Sequence, residues 1–266
     1  MQPMANIAVR AARQAGQIIL RAMDRLDELQ VEEKSRNDFV SNIDKEAESV
    51  IVEALHKTYP DHGILGEEHG QSFESEEFTW IIDPLDGTTN FLQGIPHFCI
   101  SIALQKGRQL EHGVIYDPVR NETFVASRGY GAHLNGRRIR VSQRSKLEEM
   151  VLNTGIPPAA VGRHLDAYMD MLKTFTASCR AIRRAGSAAL DLAYVAAGRA
   201  DGFWEIGLSP WDIAAGALLV REAGGFVGDL SGGDGFMKSG NIVAANPKCF
   251  KLMVQQIKPY LTPDLR

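Results

Sequence analysis

Apolar residues recur every three or four positions in several stretches of the chain, a period that predicts amphipathic helices. The first predicted helix spans residues 4 to 24, and its apolar face would consist of Ile7, Ala11, Ala15, Ile18 and Ala22. A second would be capped by Ser41 or Asn42 and end before Pro60. Further helices are predicted at residues 163–178, from Gly186-Ser187, from Pro210 to Gly224, and from Pro247 to about Lys258.

Short bulky runs and apolar–polar alternation predict strands between these helices. In the first half they cover residues 63–65, 80–82, 97–105, 113–116 and 122–126, with a hairpin of 132–134 and 137–141 around Asn135-Gly136. In the second half they cover residues 150–154, 180–184, 200–205, 226–229 and 242–245. Glu33 to Asp38 and Gln71 to Phe78 read as polar loops. We therefore expect one compact unit with an α+β half over residues 1–144 and an α/β half over 145–266.

The segment from Trp80 to Phe91 combines a strand signal with chemistry. The bulky run Trp80-Ile81-Ile82 leads into Asp83-Pro84-Leu85-Asp86-Gly87-Thr88-Thr89-Asn90-Phe91. Because proline cannot continue a central ladder, the strand is predicted to stop at Pro84. Two carboxylates leaving a buried strand need a cation or a proton to offset their charges, and oxygen ligands favour Mg²⁺. A solvated acidic turn is the alternative.

Three other acids are predicted to lie where a strand ends or a helix begins. Asp44 and Asp212 fall in first turns of helices, where a capping or dipole role is the simpler interpretation, and Glu67 follows Gly66 in what could be a solvated loop with Glu68. Strand ends and helix starts converge at one edge of an α/β layer, the usual place for a ligand. We therefore expect these acids to gather with Asp83 and Asp86. Gly186-Ser187 is either an anion site at a helix start or an ordinary N-cap.

Composition and charge exclude several classes of protein. The 266 residues carry a net charge of -4, so we expect no sequence-specific nucleic-acid binding and no attraction to anionic membranes. Three scattered cysteines fit neither a disulfide framework nor a zinc site. The N-terminus lacks an apolar h-region, and no apolar run approaches the roughly 20 residues that span a bilayer. A cytoplasmic protein is expected. Motifs of the P-loop and of dinucleotide binding are absent from the sequence.

A cluster of carboxylates that holds two or three Mg²⁺ ions would suit a substrate with its own negative charge. Phosphate is the natural candidate, and metal-assisted hydrolysis by an activated water is the natural reaction. The runner-up chemistry uses an aspartate nucleophile in a D-x-D-G-T element. The spacing here is D-x-x-D-G-T, from Asp83 to Asp86, and it disfavours that alternative.

Three motifs together resemble the inositol monophosphatase family of lithium-sensitive, Mg²⁺-dependent phosphatases. They are Gly66-Glu67-Glu68, the segment from Trp80 to Phe91, and Trp211-Asp212-Ile213-Ala214-Ala215-Gly216. The resemblance covers nearly the whole chain in the expected order and spacing. It implies a layered αβαβα sandwich of the α+β or α/β class, and usually a homodimer. The segment Arg183 to Asp191 further resembles a bacterial branch of the family.

The same resemblance implies roles for individual residues. The metal ligands would be Glu67, Asp83, the carbonyl of Leu85, Asp86 and Asp212. Thr88, paired with Asp44, would orient and deprotonate the attacking water, and Glu67 would assist through a third, weaker ion. Substrate contacts would be Asp86, Gly87, Thr88, Gly186, Ser187, Ala188, Glu205 and Asp212. Lys34 matches a lysine near the site entrance. The family often has threonine where Ser187 stands, but the hydroxyl is retained.

Two functions are therefore expected from different classes. The first is hydrolysis of a small phosphate monoester, myo-inositol 1-phosphate or a similar polyol phosphate. The second, implied by the bacterial branch, is a partner role with RNA polymerase and antitermination factors in ribosomal RNA transcription, alone or in addition to catalysis. Arg183 and Arg184 are candidates for such an interface, although a dimer contact or a solvated strand end is the simpler and preferred explanation of the pair.

Overall fold

The computed structural model describes residues 2–26, 31–35, 38–75 and 77–265. In these ranges the helices are α1 (Pro3–Met23), α2 (Asn42–Thr58), α3 (Thr88–Leu92), α4 (Pro158–Ser178), α5 (Ala188–Ala196), α6 (Pro210–Glu222), α7 (Phe236–Ser239) and α8 (Pro247–Ile257). The strands are β1 (Val31–Ser35), β2 (Asp38–Ser41), β3 (Gly63–Gly66), β4 (Gly70–Ser72), β5 (Phe78–Asp86), β6 (Cys99–Lys106), β7 (Gln109–Asp117), β8 (Glu122–Ser127), β9 (Gly131–Leu134), β10 (Arg137–Arg138), β11 (Val151–Gly155), β12 (Ala181–Arg183), β13 (Gly202–Glu205), β14 (Phe226–Gly228) and β15 (Ile242–Ala245). Single 3₁₀ turns cover Leu147–Glu149, Lys258–Tyr260 and Pro263–Leu265.

The elements stack in five layers in the order αβαβα. Helices α1 and α2 pack on one face of a mixed sheet with the strand order β10-β9-β8-β7-β6-β5-β3-β4. Helices α5 and α6 lie between that sheet and a second one, of order β12-β11-β13-β15-β14. Helices α4 and α8 cover the outer face of the second sheet. The predicted layered sandwich is confirmed.

Strand β5 runs through the centre of this arrangement and contributes to two cores. Trp80 and Ile82 face the layer of α1 and α2, whereas Ile81 faces the layer of α5 and α6. The alternation follows from the period of two in a strand. Each such side chain stabilises the fold by about 1.5–3 kcal/mol on burial. The sequence run that led to the acidic segment is therefore buried on both faces.

The predicted end of β5 at Pro84 is wrong. The strand continues to Asp86, with a register shift after Asp83. Asp83 pairs with Ser101 and Asp86 with Cys99, so Pro84 and Leu85 stand opposite a single residue of β6. This is a β-bulge, a place where a sheet tolerates proline because the ladder is already interrupted.

Two predicted loops also differ from the structure. The residues around Glu33 belong to an antiparallel pair of β1 with β2. Gln71 lies in β4, a short strand that pairs antiparallel with β3. Polar residues dominate both stretches, so neither shows the apolar pattern of a strand. The second arm of the Asn135-Gly136 hairpin is shorter than predicted and pairs only over Arg137–Arg138.

A helix that spans a membrane must be both long and apolar. In the part of the chain that the structure describes, none has both the length and the apolar character of a membrane span.

Candidate active site

Three carboxylates from distant parts of the chain meet at the end of β5. One oxygen each of Asp83, Asp86 and Asp212 lies within 4.8 Å of the others. Asp83 and Asp86 come from the bulged end of β5, and Asp212 from the first turn of α6. Oxygen ligands at this spacing suit a hard divalent cation.

The electrostatics of this cluster are unfavourable without a positive charge. Burial, and then the negative charges of Glu67, Asp86 and Asp212, raises the pKa of Asp83 well above its usual range. Burial and the charge of Asp86 likewise raise the pKa of Asp212 well above its usual range. Three carboxylates this close together, one buried and two partly buried, can stay ionised together only if a cation offsets their repulsion. The cluster is therefore chemically suited to hold metal.

Asp86 is fixed by the start of α5. Its Oδ2 accepts hydrogen bonds from the Ser187 hydroxyl at 2.6 Å and from the Ala189 amide at 2.7 Å, and the Cys99 thiol lies 3.8 Å away. Burial raises the pKa of Asp86, and the bonds from Ser187 and the helix amides oppose that rise. Ser187 makes no side-chain capping bond to α5. The start of α5 therefore binds an anionic group, the Asp86 carboxylate. The alternative, in which the Ser187 side chain caps the helix, is not observed.

Asp212 both caps the start of α6 and belongs to the carboxylate cluster. Its Oδ2 accepts a hydrogen bond from the Ser209 amide at 2.7 Å, as a residue in a capping box does. The same side chain contributes an oxygen to the cluster with Asp83 and Asp86. The hydrogen bond from the Ser209 amide therefore fixes the direction in which the Asp212 side chain points.

Thr88 joins the site to α2. Its Oγ1 lies 3.0 Å from Oδ1 of Asp44 and 3.0 Å from the carbonyl oxygen of Leu85. Asp44 is almost completely buried. The Leu85 amide in turn donates to Oδ1 of Asp83 at 2.9 Å. Hydrogen bonds therefore connect the Thr88–Asp44 pair to the carboxylate cluster through the backbone of the bulge.

Glu67 follows the end of β3, and its amide donates to the Ile82 carbonyl oxygen at 3.1 Å. This places it beside β5, close enough for its carboxylate to raise the pKa of Asp83. A second glutamate, Glu48 of α2, accepts hydrogen bonds from the amides of Glu68 and His69 at 2.9 and 3.0 Å.

A cleft of about 510 Å³ opens over these groups. It is lined by Glu67 and by all eight predicted substrate contacts, namely Asp86, Gly87, Thr88, Gly186, Ser187, Ala188, Glu205 and Asp212. Burial, and then the charges of Asp191, Asp212 and Asp86, raises the pKa of Glu205 well above its usual range. A Cβ atom at Gly155 would overlap the Glu205 carboxylate, so a larger residue at that position would displace this carboxylate.

The basic candidates lie in different places. Arg184 lines the cleft, and its Nη2 donates to the Ile156 carbonyl oxygen at 3.3 Å. Arg183 is exposed at the end of β12, an edge strand of the second sheet. Lys34 belongs to β1, but its side chain lies outside the described part of the chain.

Sequence reasoning missed two polar residues that line the cleft, Asn90 and Asp191, and the hydrogen-bond partner of the second, Asn153. Asn90 donates through Nδ2 to the carbonyl oxygens of His97, Ala185 and Gly186, at 2.7, 2.9 and 3.3 Å. Asp191 lines the cleft and accepts from Asn153 Nδ2 at 2.7 Å. Burial and the charge of Asp86 raise the pKa of Asp191 well above its usual range. An acid inside the apolar run of α5, and Glu48 inside the apolar stripe of α2, were the available signals.

Comparisons with known proteins show the family of the chain. The model of the inositol monophosphatase family matches residues 1–261, and the chain belongs to that family. The protein is 55% identical to the "Nus factor SuhB" of Pseudomonas aeruginosa over 270 residues, covering 100% of both chains. It is 50% identical to the "Nus factor SuhB" of Escherichia coli K12 over 267 residues, again covering 100% of both.

Solved structures share the fold. The extragenic suppressor protein suhB from Bartonella henselae superposes with a TM-score of 0.92 at 46% identity, over 95% of this chain and 97% of that one. An inositol monophosphatase from Thermotoga maritima gives a TM-score of 0.87 at 38% identity, over 96% of each chain.

Proposed function

We propose that the protein is a Mg²⁺-dependent phosphomonoesterase that hydrolyses myo-inositol 1-phosphate or a similar polyol phosphate to the free alcohol and inorganic phosphate. The observation that carries this proposal is the meeting of Asp83, Asp86 and Asp212 beside the Thr88–Asp44 pair, next to a cleft that Asp86, Thr88 and Asp212 help to line. Membership of the inositol monophosphatase family supports it.

Two to three Mg²⁺ ions would bind in this cluster. Glu67, Asp83 and the carbonyl of Leu85 would hold the first and Asp83, Asp86 and Asp212 the second, with Glu67 contributing to a third, weaker site. All these donors are oxygens, and their mutual repulsion calls for cations. When bound, such ions lower the pKa of a coordinated water and stabilise negative charge on the leaving oxygen.

The attacking water would be oriented by Thr88. With its hydroxyl hydrogen directed at Asp44, the Thr88 oxygen presents a lone pair to the water. The water proton passes to Thr88 as the Thr88 proton passes to Asp44. The direct partner of the nucleophile is thus a neutral hydroxyl, and the proton ends on a buried carboxylate.

Substrate binding would use the rest of the cleft lining. The amides of Gly87 and Thr88 would receive phosphate oxygens. The residues Asp86, Gly186, Ser187, Ala188, Glu205 and Asp212 would contact the polyol hydroxyls, since carboxylates and backbone groups are good partners for hydroxyl donors. The acidic character of this end of the cleft favours a neutral, hydroxyl-rich alcohol over an anionic one.

The test is phosphate release from a panel of phosphate monoesters, measured with and without Mg²⁺. We expect inositol 1-phosphate to be hydrolysed only with Mg²⁺, lithium to inhibit, and Asp86→Asn to abolish turnover with its circular dichroism unchanged. Asp234→Asn, at an exposed acid paired with Arg221, is the control and should remain active. Near-normal activity of Asp86→Asn at saturating Mg²⁺ would falsify the assignment.

A second function, in a separate surface, is favoured by the name "Nus factor SuhB" of the relatives. We propose that the protein also associates, as a homodimer, with RNA polymerase and antitermination factors. Exposed Arg183 is a candidate contact. A pull-down of RNA polymerase with Asp86→Asn separates the two functions. Retained binding is expected, and loss of binding in this inactive variant would contradict an independent surface.

A further inference from the structure

Glu48 is a buried acid that neither proposed function uses. It lies in the second turn of α2 and is fully buried. Its Oε2 accepts from the Glu68 amide at 2.9 Å, and its Oε1 accepts from the His69 amide at 3.0 Å and lies 2.6 Å from His69 Nδ1. A buried carboxylate is tolerated only when its oxygens are satisfied in this way. Glu48 is therefore bound to the backbone directly after Glu67.

The approach of this carboxylate to the chain is unusually close. A Cβ atom on Gly66 would lie 2.5 Å from the Glu48 carboxyl carbon and from Oε1. Glycine at position 66 therefore allows the glutamate to reach the amides beyond it. On the other side, the Glu67 amide is tied to the Ile82 carbonyl oxygen of β5 at 3.1 Å. The backbone is thus held immediately before and immediately after the Glu67 side chain.

One face of α2 supports two parts of the site. Asp44 and Glu48 are four residues apart, so their side chains lie on the same helix face. Asp44 contacts the Thr88 hydroxyl, and Glu48 contacts the loop of Glu67. Both acids are buried in the interface between α2 and the first sheet.

We propose that Glu48 is a positioning residue that fixes the loop Gly66–His69 so that Glu67 is preorganised to bind a divalent cation. It acts through Glu67 and contacts no substrate. The inference rests on the proposed metal site, but it concerns cation binding and not turnover. Partners that orient metal ligands in this way typically contribute 10- to 100-fold to metal affinity.

The experiment is calorimetric titration of the full chain with Mn²⁺ in the absence of substrate. Glu48→Gln keeps the size of the side chain, but its amide group confronts a backbone N–H with another donor. We expect its Kd for Mn²⁺ to rise by about tenfold or more. At saturating Mg²⁺ its KM for inositol 1-phosphate should stay within about twofold of wild type, whereas the Mg²⁺ concentration for half-maximal rate rises.

Asp229→Asn is the matched control. Like Glu48, Asp229 accepts hydrogen bonds from backbone amides, in its case those of Ser231, Gly233 and Gly235, but it lies in a loop after β14. Its Mn²⁺ affinity should equal that of wild type. Glu67→Gln gives the size of the effect when the ligand itself is changed. If Glu48→Gln does not fold, Gly66→Ala displaces the same contact, and a Kd raised by about tenfold is expected there too.

The outcomes are distinguishable. Wild-type affinity in Glu48→Gln or Gly66→Ala, with weakened binding in Glu67→Gln, overturns the role of Glu48. An equal loss in Asp229→Asn overturns it as well, because the effect would then be general. No Mn²⁺ binding by wild type overturns both the metal site and the positioning role. Mn²⁺ binding that depends on Glu48, without phosphate release from any substrate, overturns the proposed activity alone.

Discussion

At the scale of single residues, two oxygen atoms of the site each have two hydrogen-bond partners. Oδ2 of Asp86 is occupied by Ser187 and Ala189, so α5 fixes this carboxylate before any ligand arrives. A threonine hydroxyl could make the same bond as the Ser187 hydroxyl. Serine and threonine at position 187 would therefore be equivalent in this contact. The Thr88 oxygen likewise lies between Asp44 and the Leu85 carbonyl oxygen.

Two substitutions of Thr88 distinguish the role of its hydroxyl from the role of its branched shape. Thr88→Val keeps the branched side chain but leaves Asp44 without this donor, and we expect kcat to fall by about 10²- to 10⁴-fold, the usual contribution of a positioned proton-transfer group. Thr88→Ser retains the hydroxyl and should remain within about tenfold of wild type. Steady-state kinetics at saturating Mg²⁺ measure both. Equal losses in the two variants would show that the hydroxyl has no chemical role.

At the scale of elements, the parts that could be predicted are those with a local signal. Helices α1 and α6 can be predicted because the spacing of their apolar residues agrees with the residues that begin and end a helix. The acidic end of β5 can be predicted because its motif is contiguous in the sequence. The bulge at Pro84 was missed because it depends on the register with β6. Glu48 and Asn153 were missed because their partners lie 20 or more residues away. The spacing of residue types along the chain does not show which residues form hydrogen bonds over such distances.

The connection from α2 to β3 also has a pH-dependent element. His62 stacks on Tyr59 and on Phe78, each at 4.8 Å between ring centroids. Burial lowers the pKa of His62, against the opposing charges of Asp61 and Glu77. Its Nδ1 is buried and has no hydrogen-bond partner in the described structure. Protonation of the ring is therefore unfavourable in the folded state.

We expect this to make the free energy of unfolding fall as the pH drops below about 6.5, because the unfolded chain then binds protons that folded His62 does not. His62→Phe keeps the stack and removes the proton site, so its stability should fall less between about pH 7 and pH 5.5. Some dependence should remain, since burial also lowers the pKa of His97 and His112. Urea denaturation at a series of pH values measures this, and parallel curves would contradict it.

At the scale of the whole molecule, the candidate active site is assembled from separate layers. Helix α2 contributes Asp44 from one side of the first sheet, β5 contributes two aspartates from its end, and α5 and α6 contribute their starts from the middle layer. Because the acids of the site come from different layers, their mutual repulsion pushes these layers apart. A cation in the cluster would offset it.

Mg²⁺ should therefore stabilise the whole fold. A ligand at about a hundredfold its Kd adds about 2.7 kcal/mol, which corresponds to a rise in Tm of roughly 5 °C for a chain of this size. Asp83→Asn should lose most of the shift. Thermal denaturation with MgCl₂, and with NaCl at matched ionic strength, measures it. The same shift with NaCl, or an undiminished shift in Asp83→Asn, would show that the ion acts elsewhere.

The most direct test of the central claim is an anomalous difference map from crystals of the full chain soaked in Mn²⁺, an ion with the same preference for oxygen ligands as Mg²⁺. We predict at least two peaks, one bridged by Asp83, Asp86 and Asp212 and one bound by Glu67, Asp83 and the Leu85 carbonyl oxygen. A map that shows no peak within coordination distance of Asp83 and Asp212 at saturating Mn²⁺ would contradict the account.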